Sequence, residues 1–212
     1  MQNKEKKNAD QITPEFVLLT YAHGLFPMGE TDSDELYWHF PDRRAIFDIY
    51  HTKIAKSVVQ LIRKKIYNFD IDKNFDKVIE ICSQRSITWI NEPIKKIYKE
   101  IFKIGNAHSI EVYRENQLVG GLYGVTIGAA FFGESMFNLE PNTSKLAFAY
   151  LLEVLKYNKF ILLDSQYINH FTEQLGAFEI SSFEYIRMLQ GAINETRKFE
   201  VPSNAFENII SK

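Results

Sequence analysis

The chain has one cysteine, Cys82, among 212 residues, which excludes an intramolecular disulfide and a cysteine-based metal cluster. Histidine does not fill that gap, because His39 and His108 are too dispersed to make a metal site. Charge of one sign is also lacking. The formal net charge is -2, so there is no protein-wide positive field, and any contact with nucleic acid must come from a local patch. Long apolar runs are absent: residues 119–133 are uncharged, but the stretch is too short to span a bilayer and is interrupted by five glycines. Residues 1–10 are polar and mixed in charge, without the apolar core of a signal peptide, and are expected to form a flexible tail on a cytoplasmic protein. No repeat or low-complexity segment occurs.

What is present is an ordinary globular composition with an excess of rings. Hydrophobic residues make up 45% and charged residues 25%, with 17 Phe and 11 Tyr. A chain of this size buries a substantial core as one large domain or two smaller ones. Aromatic side chains also suit pockets that accept apolar or flat groups.

The first half reads as helical. Thr13 is an N-cap with Pro14 in the first turn, and Gly24 ends that helix. Residues 26–44 hold Pro27, Gly29, Pro41 and the cluster Tyr37, Trp38, His39 and Phe40, and read as an irregular aromatic-rich surface. Ile54, Val58, Leu61 and Ile62 set a helical pattern over residues 52–66. Lys53, Lys56, Arg63, Lys64 and Lys65 lie in that span, with no acidic residue between Ile49 and Phe69. Helices over 75–82 and 92–102 follow, and Gly105 closes this part. The expected division is a tail at 1–10, an N-terminal domain at 11–104 and a C-terminal domain at 105–212.

From residue 109 the period changes to two. Strands at 109–113 and 118–127 are joined by the turn Arg114-Glu115-Asn116-Gln117, and a third at 130–137 returns through Gly128. The glycines of this antiparallel meander permit bulges or close backbone approach. A helix at 144–157 leads to a strand at 160–166, a crossover that makes the sheet mixed. In that strand Phe160, Leu162, Asp164 and Gln166 face one way, and Ile161, Leu163 and Ser165 the other. Helices at 169–175 and 182–192 flank a short strand at 177–180.

Two polar motifs end apolar strands: Gly133-Glu134-Ser135-Met136-Phe137 and Asp164-Ser165-Gln166. An apolar run gains stability by leaving water, whereas a carboxylate at its end loses solvation and needs partners or a task. The spacing therefore points to a small polar site at the ends of adjacent strands. Two plainer readings stand beside it: an aspartate binding backbone amides, and a glutamate bridging a strand end. Ser135 is a poor nucleophile, because its surroundings are not Gly-x-Ser-x-Gly. An acyl-CoA N-acetyltransferase would place a glycine-rich pyrophosphate turn before the long helix, where this chain has Glu-Pro-Asn-Thr.

Taken in order, the motifs resemble those of the bacterial leucyl/phenylalanyl-tRNA–protein transferases. The resemblance runs through Tyr21-Ala22-His23-Gly24-Leu25-Phe26-Pro27, Trp38-His39-Phe40-Pro41-Asp42-Arg43-Arg44-Ala45 and Thr88-Trp89-Ile90. It continues through residues 105–112 and 118–124 to the two polar motifs, Ser144-Lys145 and Leu175-Gly176-Ala177. Met28 stands where the family usually has Trp, Arg43 where it usually has Pro, and Phe171 where it usually has His.

The resemblance implies an α+β protein: a small N-terminal domain plus a C-terminal acyl-CoA N-acyltransferase-like (GNAT-like) domain with a mixed, mostly antiparallel sheet. It implies transfer of leucine or phenylalanine, with methionine as a further donor, from aminoacyl-tRNA to the N-terminal Arg or Lys of a protein, which is thereby marked for degradation. No cofactor is expected, since an aminoacyl ester is already activated toward an amine. Asp164 would orient the incoming amine, directly or through Gln166. Glu134 would hold the donor's α-amino group or the acceptor's basic side chain. Phe132, Met136 and Phe148, with Ser135, would line the pocket for the donor side chain. Trp38 and Trp89 would stack on the terminal adenosine, at about 1–3 kcal/mol per base. Lys53, Lys56, Arg63, Lys64 and Lys65 would meet acceptor-stem phosphates. The protein is expected to be a monomer with no membrane partner. The alternatives are the same chemistry with altered donor or acceptor, for example acidic N-termini, and a noncatalytic tRNA- or peptide-binding module.

Overall fold

Local signals place the first element where expected. In the structure, a computed structural model, residues 12–30, 33–84 and 88–207 are described, so the expected flexible tail at 1–10 lies outside the described residues. Helix α1 (Pro14–Ala22) begins where the Thr13 hydroxyl accepts from the Phe16 amide, and the chain turns at Gly24 with φ +83°.

Residues 26–44 are not an irregular surface. Strands β1 (Phe26–Gly29) and β2 (Leu36–His39) form an antiparallel hairpin, and β3 (Arg43–Phe47) joins the main sheet. Phe26, Leu36 and Trp38 are buried in one core, and that burial overrides the local signal of prolines and glycine. Pro27 is tolerated because a two-stranded hairpin consists of edges.

Helix α2 (Lys56–Arg63) is shorter than the apolar pattern over 52–66, since Lys65 adopts a left-handed φ of +52° just beyond it. Strand β4 (Asn68–Ile71) carries no clear sequence signal and is recruited at the sheet edge. Helices α3 (Phe75–Ser83) and α4 (Glu92–Lys103) follow the expected positions, with α4 capped by the Asn91 side chain. The meander is β5 (Ala107–Arg114), β6 (Gln117–Ile127) and β7 (Ala130–Asn138). Helix α5 (Thr143–Tyr157) then crosses to β8 (Leu162–Asp164), which runs parallel to β7. Helix α6 (His170–Gln174), strand β9 (Phe178–Ser181) and helix α7 (Ser182–Ile193) complete the order.

Among the described residues the main sheet has the order β4-β5-β6-β7-β8-β3-β9, antiparallel except at β7–β8. The fold is α+β with a mixed, mostly antiparallel sheet. Because β3 and β4 precede residue 105 yet belong to this sheet, the expected boundary after residue 104 cuts through it. One core contains Tyr21, Tyr98, Phe132 and Tyr185; the other contains Phe148, Leu151, Phe131 and Leu163. Strand β8 is shorter than the apolar run at 160–166. Phe160 packs in the second core rather than with Leu162, and past Asp164 the chain bends to a left-handed φ of +55° at Gln166. Among the described residues, no helix is long and apolar enough to cross a membrane.

Candidate active site

A β-bulge creates the site. Strand β7 is in register with β6 at Gly133↔Gly124 and again at Ser135↔Tyr123, so Glu134 is the extra residue. The bulge breaks the alternation of side chains: Phe132 and Phe137 belong to the first core, whereas Met136 packs against the second. Pairing of β7 with β8 ends nearby, at Phe132↔Asp164. Beyond that point the two parallel strands part, and a cavity of about 410 Å³ opens in the gap. Glycine is required opposite the bulge, because a methyl group on Gly124 would overlap the Phe132 carbonyl and the Phe131 ring.

Asp164 ends β8 fully buried and is held on every side. Arg44 Nε donates to Oδ1 at 2.8 Å and Nη2 to Oδ2 at 2.6 Å. Tyr185 donates its hydroxyl to Oδ2 at 2.7 Å, and the Gln166 backbone N–H to Oδ1 at 2.9 Å. The guanidinium lies between the rings of Phe26 and Tyr185, and its third N–H group reaches the Gly24 carbonyl. Burial lowers the Arg44 pKa, but the Asp164 carboxylate outweighs it and holds the group charged. A direct bond from Asp164 to an incoming amine is not what this geometry offers. Its influence on the cavity passes through Gln166, whose backbone it fixes.

Gln166 points its amide toward the bulge, with Nε2 3.4 Å from Glu134 Oε1. The hydroxyls of Tyr21 and Tyr98 lie within hydrogen-bond distance of the two oxygens of Glu134, at 2.6 and 2.9 Å. The Glu134 carboxyl is raised to about 7, by burial and the Asp164 charge acting against Arg44 and against the tyrosine hydroxyls where these donate to the ionised form. Burial also raises the pKa of both tyrosines well above the ordinary value.

The structure gathers Glu134, Ser135, Met136, Phe148, Asp164, Gln166 and Trp89 around the cavity. Two expected residues are elsewhere. Phe132 has no exposed surface and packs on Tyr21, because the bulge begins only after it. Trp38 is 9% exposed and packs nearly perpendicular to Phe16 at 5.4 Å, which leaves it too little free surface to stack on a base. Lys53, Lys56, Arg63, Lys64 and Lys65 are all exposed. The first three line a wide groove along α5, toward the end of that helix opposite the cavity.

Pattern reading missed Arg44, Tyr21, Tyr98 and Leu151. Leu151 was within reach, standing three residues after Phe148 on the same helix face. Arg44 and Tyr21 lay inside motifs whose order was evident but whose roles depend on partners far along the chain.

Fold and cavity together define a class: an α+β protein with a cavity of apolar base and polar rim where its sheet splits. Residues 46–190 match the family model for leucyl/phenylalanyl-tRNA protein transferase, and residues 10–42 match the model of its N-terminal domain. The leucyl/phenylalanyl-tRNA–protein transferase of Prosthecochloris aestuarii is 43% identical over 187 residues, covering 86% of this chain and 96% of the relative. That of Zymomonas mobilis subsp. mobilis is 40% identical over 190 residues, covering 87% and 71%. The chain belongs to the leucyl/phenylalanyl-tRNA–protein transferase family. Among solved structures, the L-PGS of Bacillus licheniformis gives a TM-score of 0.41 at 13% identity, over 74% of this chain and 51% of that one, about half its length.

Proposed function

We propose that the protein transfers leucine or phenylalanine, and methionine as a third donor, from aminoacyl-tRNA to the N-terminal Arg or Lys of an acceptor protein. The observation that carries this reading is the meeting of Glu134 and Gln166 at the rim of a cavity based on Phe148, Leu151, Leu163 and Met136. The donor side chain enters the apolar base, where Met136 adapts to branched or flat groups. Glu134 takes the donor's α-amino group. The Gln166 side-chain amide accepts from the acceptor's neutral amine and turns its lone pair to the ester carbonyl. A carbon–nitrogen bond forms, the carbonyl carbon's bond to the ribose oxygen breaks, and the amine's proton passes to that oxygen. Asp164, held by Arg44, serves as the anchor of Gln166.

Trp89, partly exposed at the cavity, is the residue to stack on the terminal adenosine. The exposed run from Lys53 to Lys65 meets phosphates of the acceptor stem. Ser144 and Lys156 on α5 are about 18 Å apart along the helix, a span that a tRNA acceptor end bridges readily. A tRNA donor argues for the cytoplasm, where the protein acts as a monomer and its products enter degradation.

The test is a matrix of leucyl, phenylalanyl and methionyl donors against peptides starting with Arg, Lys, Asp or Glu, without ATP. Transfer of leucine and phenylalanine to Arg and Lys peptides is expected. No transfer in any cell would remove the reading.

A further inference from the structure

Three oxygen-bearing groups from three elements form a triangle at the bulge. Tyr21 Oη lies 2.6 Å from Glu134 Oε1, Tyr98 Oη lies 2.9 Å from Oε2, and the two hydroxyls are 2.5 Å apart. Each separation is that of an O–H···O hydrogen bond, and each contact therefore needs a proton. The two phenols supply two. With Glu134 ionised and both phenols donating to it, the phenol oxygens would face each other at 2.5 Å with lone pairs alone. Turning one phenol toward the other would instead leave its own short contact with the carboxylate without a proton. A third proton on Glu134 satisfies all three contacts. The acid O–H donates to Tyr21, Tyr21 donates to Tyr98, and Tyr98 donates back to the other carboxyl oxygen.

We propose that in the substrate-free protein Glu134 is a neutral acid, closed into a ring of hydrogen bonds by Tyr21 and Tyr98, and that docking of the donor's α-ammonium expels its proton. The second half rests on the donor assigned above. The ammonium keeps its three protons and pairs with the carboxylate that forms, while the acid's proton leaves to solvent. Tyr21 and Tyr98 thus act as positioning residues for the group that recognises the donor.

The surroundings agree. Tyr21 faces Glu134 from α1, Tyr98 from α4, and the Tyr123 ring lies against Tyr98 from β6. Asp164 faces it from β8 and Arg44 from β3, with the Gln166 amide beside them. Burial and the Asp164 charge favour the neutral acid, donation from the two phenols to an ionised Glu134 and the Arg44 charge oppose them, and the balance, at about 7, leaves the acid protonated below neutrality. Both phenols stay protonated, since burial raises them well above the ordinary value. With Asp164 paired to Arg44 and Glu134 neutral, the empty site holds no unpaired carboxylate.

The first experiment is a carbon-13 NMR titration of protein labelled at its glutamate carboxyls. One resonance, missing in Glu134→Gln, should titrate near 7. Tyr98→Phe separates the ring from a simple donor role. Loss of a donor to an ionised carboxylate raises that carboxyl's pKa, whereas opening a ring that exists only in the neutral form lowers it, here by about one unit. A midpoint that rises in Tyr98→Phe, or an ordinary carboxyl midpoint in the unaltered protein, overturns the ring. Tyr21→Phe serves if Tyr98→Phe does not fold. The second experiment is calorimetry, in buffers of differing ionisation heat, with a phenylalanyl aminonucleoside whose ester is replaced by an amide. Below the midpoint, binding should release about one proton, and the des-amino analogue none. Binding without release overturns the docking half alone. Failure to bind defeats the donor assignment and with it that half, while the titration still decides the ring.

Discussion

Arg44 and Asp164, brought together from neighbouring strands, form a two-pronged ion pair that is 1% and 0% exposed. The pair neutralises the deeper of the two carboxylates at the cavity and leaves Glu134 to meet a cation. It also fixes the turn that carries Gln166.

Breaking this pair leaves one charge buried alone. Arg44→Met and Asp164→Asn should each cost about 3–5 kcal/mol in urea unfolding. The double variant Arg44→Met/Asp164→Leu should recover a good part of that loss and still transfer nothing. If the double variant is as unstable as the sum of the singles, the pair is not the coupled unit described.

Glu134 makes stability depend on pH in a defined direction. Its folded pKa of about 7 is raised above the ordinary 4.5, so the folded state binds the proton more tightly. The stability it contributes is full below 4.5 and is lost as pH rises to about 7. Glu134→Gln should remove that decline, and at pH 8 should be more stable than the unaltered protein by on the order of 1–3 kcal/mol. Unfolding curves at several pH values check this, and an unchanged pH profile in the variant would exclude it.

Gln166 holds a left-handed φ of +55°, a strained conformation for a side chain of this kind. Gln166→Gly should leave stability within about 1 kcal/mol of the original, because glycine accepts that conformation. Transfer should fall about 100-fold, since the side-chain amide is gone. Near-normal turnover would take Gln166 out of the chemistry.

Phe148 forms part of the apolar base of the cavity and packs on Phe47 at 4.7 Å. Phe148→Ala should cost about 3–5 kcal/mol of stability and widen the cavity. The ratio of kcat/KM for phenylalanyl over leucyl donors should shift by about 10-fold, the scale expected for apolar pocket contacts. An unchanged ratio would place the donor side chain elsewhere.

Lys64 and Lys65 are exposed beyond α2. Lys64→Gln/Lys65→Gln should weaken tRNA binding and lower the slope of log affinity against log salt by about one for each phosphate no longer neutralised. Binding measured over a salt series decides it, and an unaltered slope would move the tRNA to another face.

Much of the fold was legible in local patterns. Thr13 caps a helix as its position implies, the turn at Arg114–Gln117 closes a hairpin, and the apolar helix after Thr143 forces a crossover. Strands β3 and β4 misled because they exist only through tertiary pairing, β3 between β8 and β9 and β4 on β5, while the β1–β2 hairpin is fixed by burial of Phe26, Leu36 and Trp38. Short strands of this kind have no period long enough to register before their partners arrive.

The site divides in the same way. Sequence alone determined that two carboxylates and an amide lie in or just past apolar runs, and that a meander is followed by a crossover helix and a further strand, because caps, turns and periodicity act between near neighbours. Tertiary structure alone decided that a bulge turns Glu134 toward Tyr21 and Tyr98, that Arg44 seals Asp164, and that Trp89 rather than Trp38 faces the cavity. Those pairings join residues as much as 120 positions apart, and their geometry follows from how the two cores close on the sheet, which no stretch of neighbouring residues specifies.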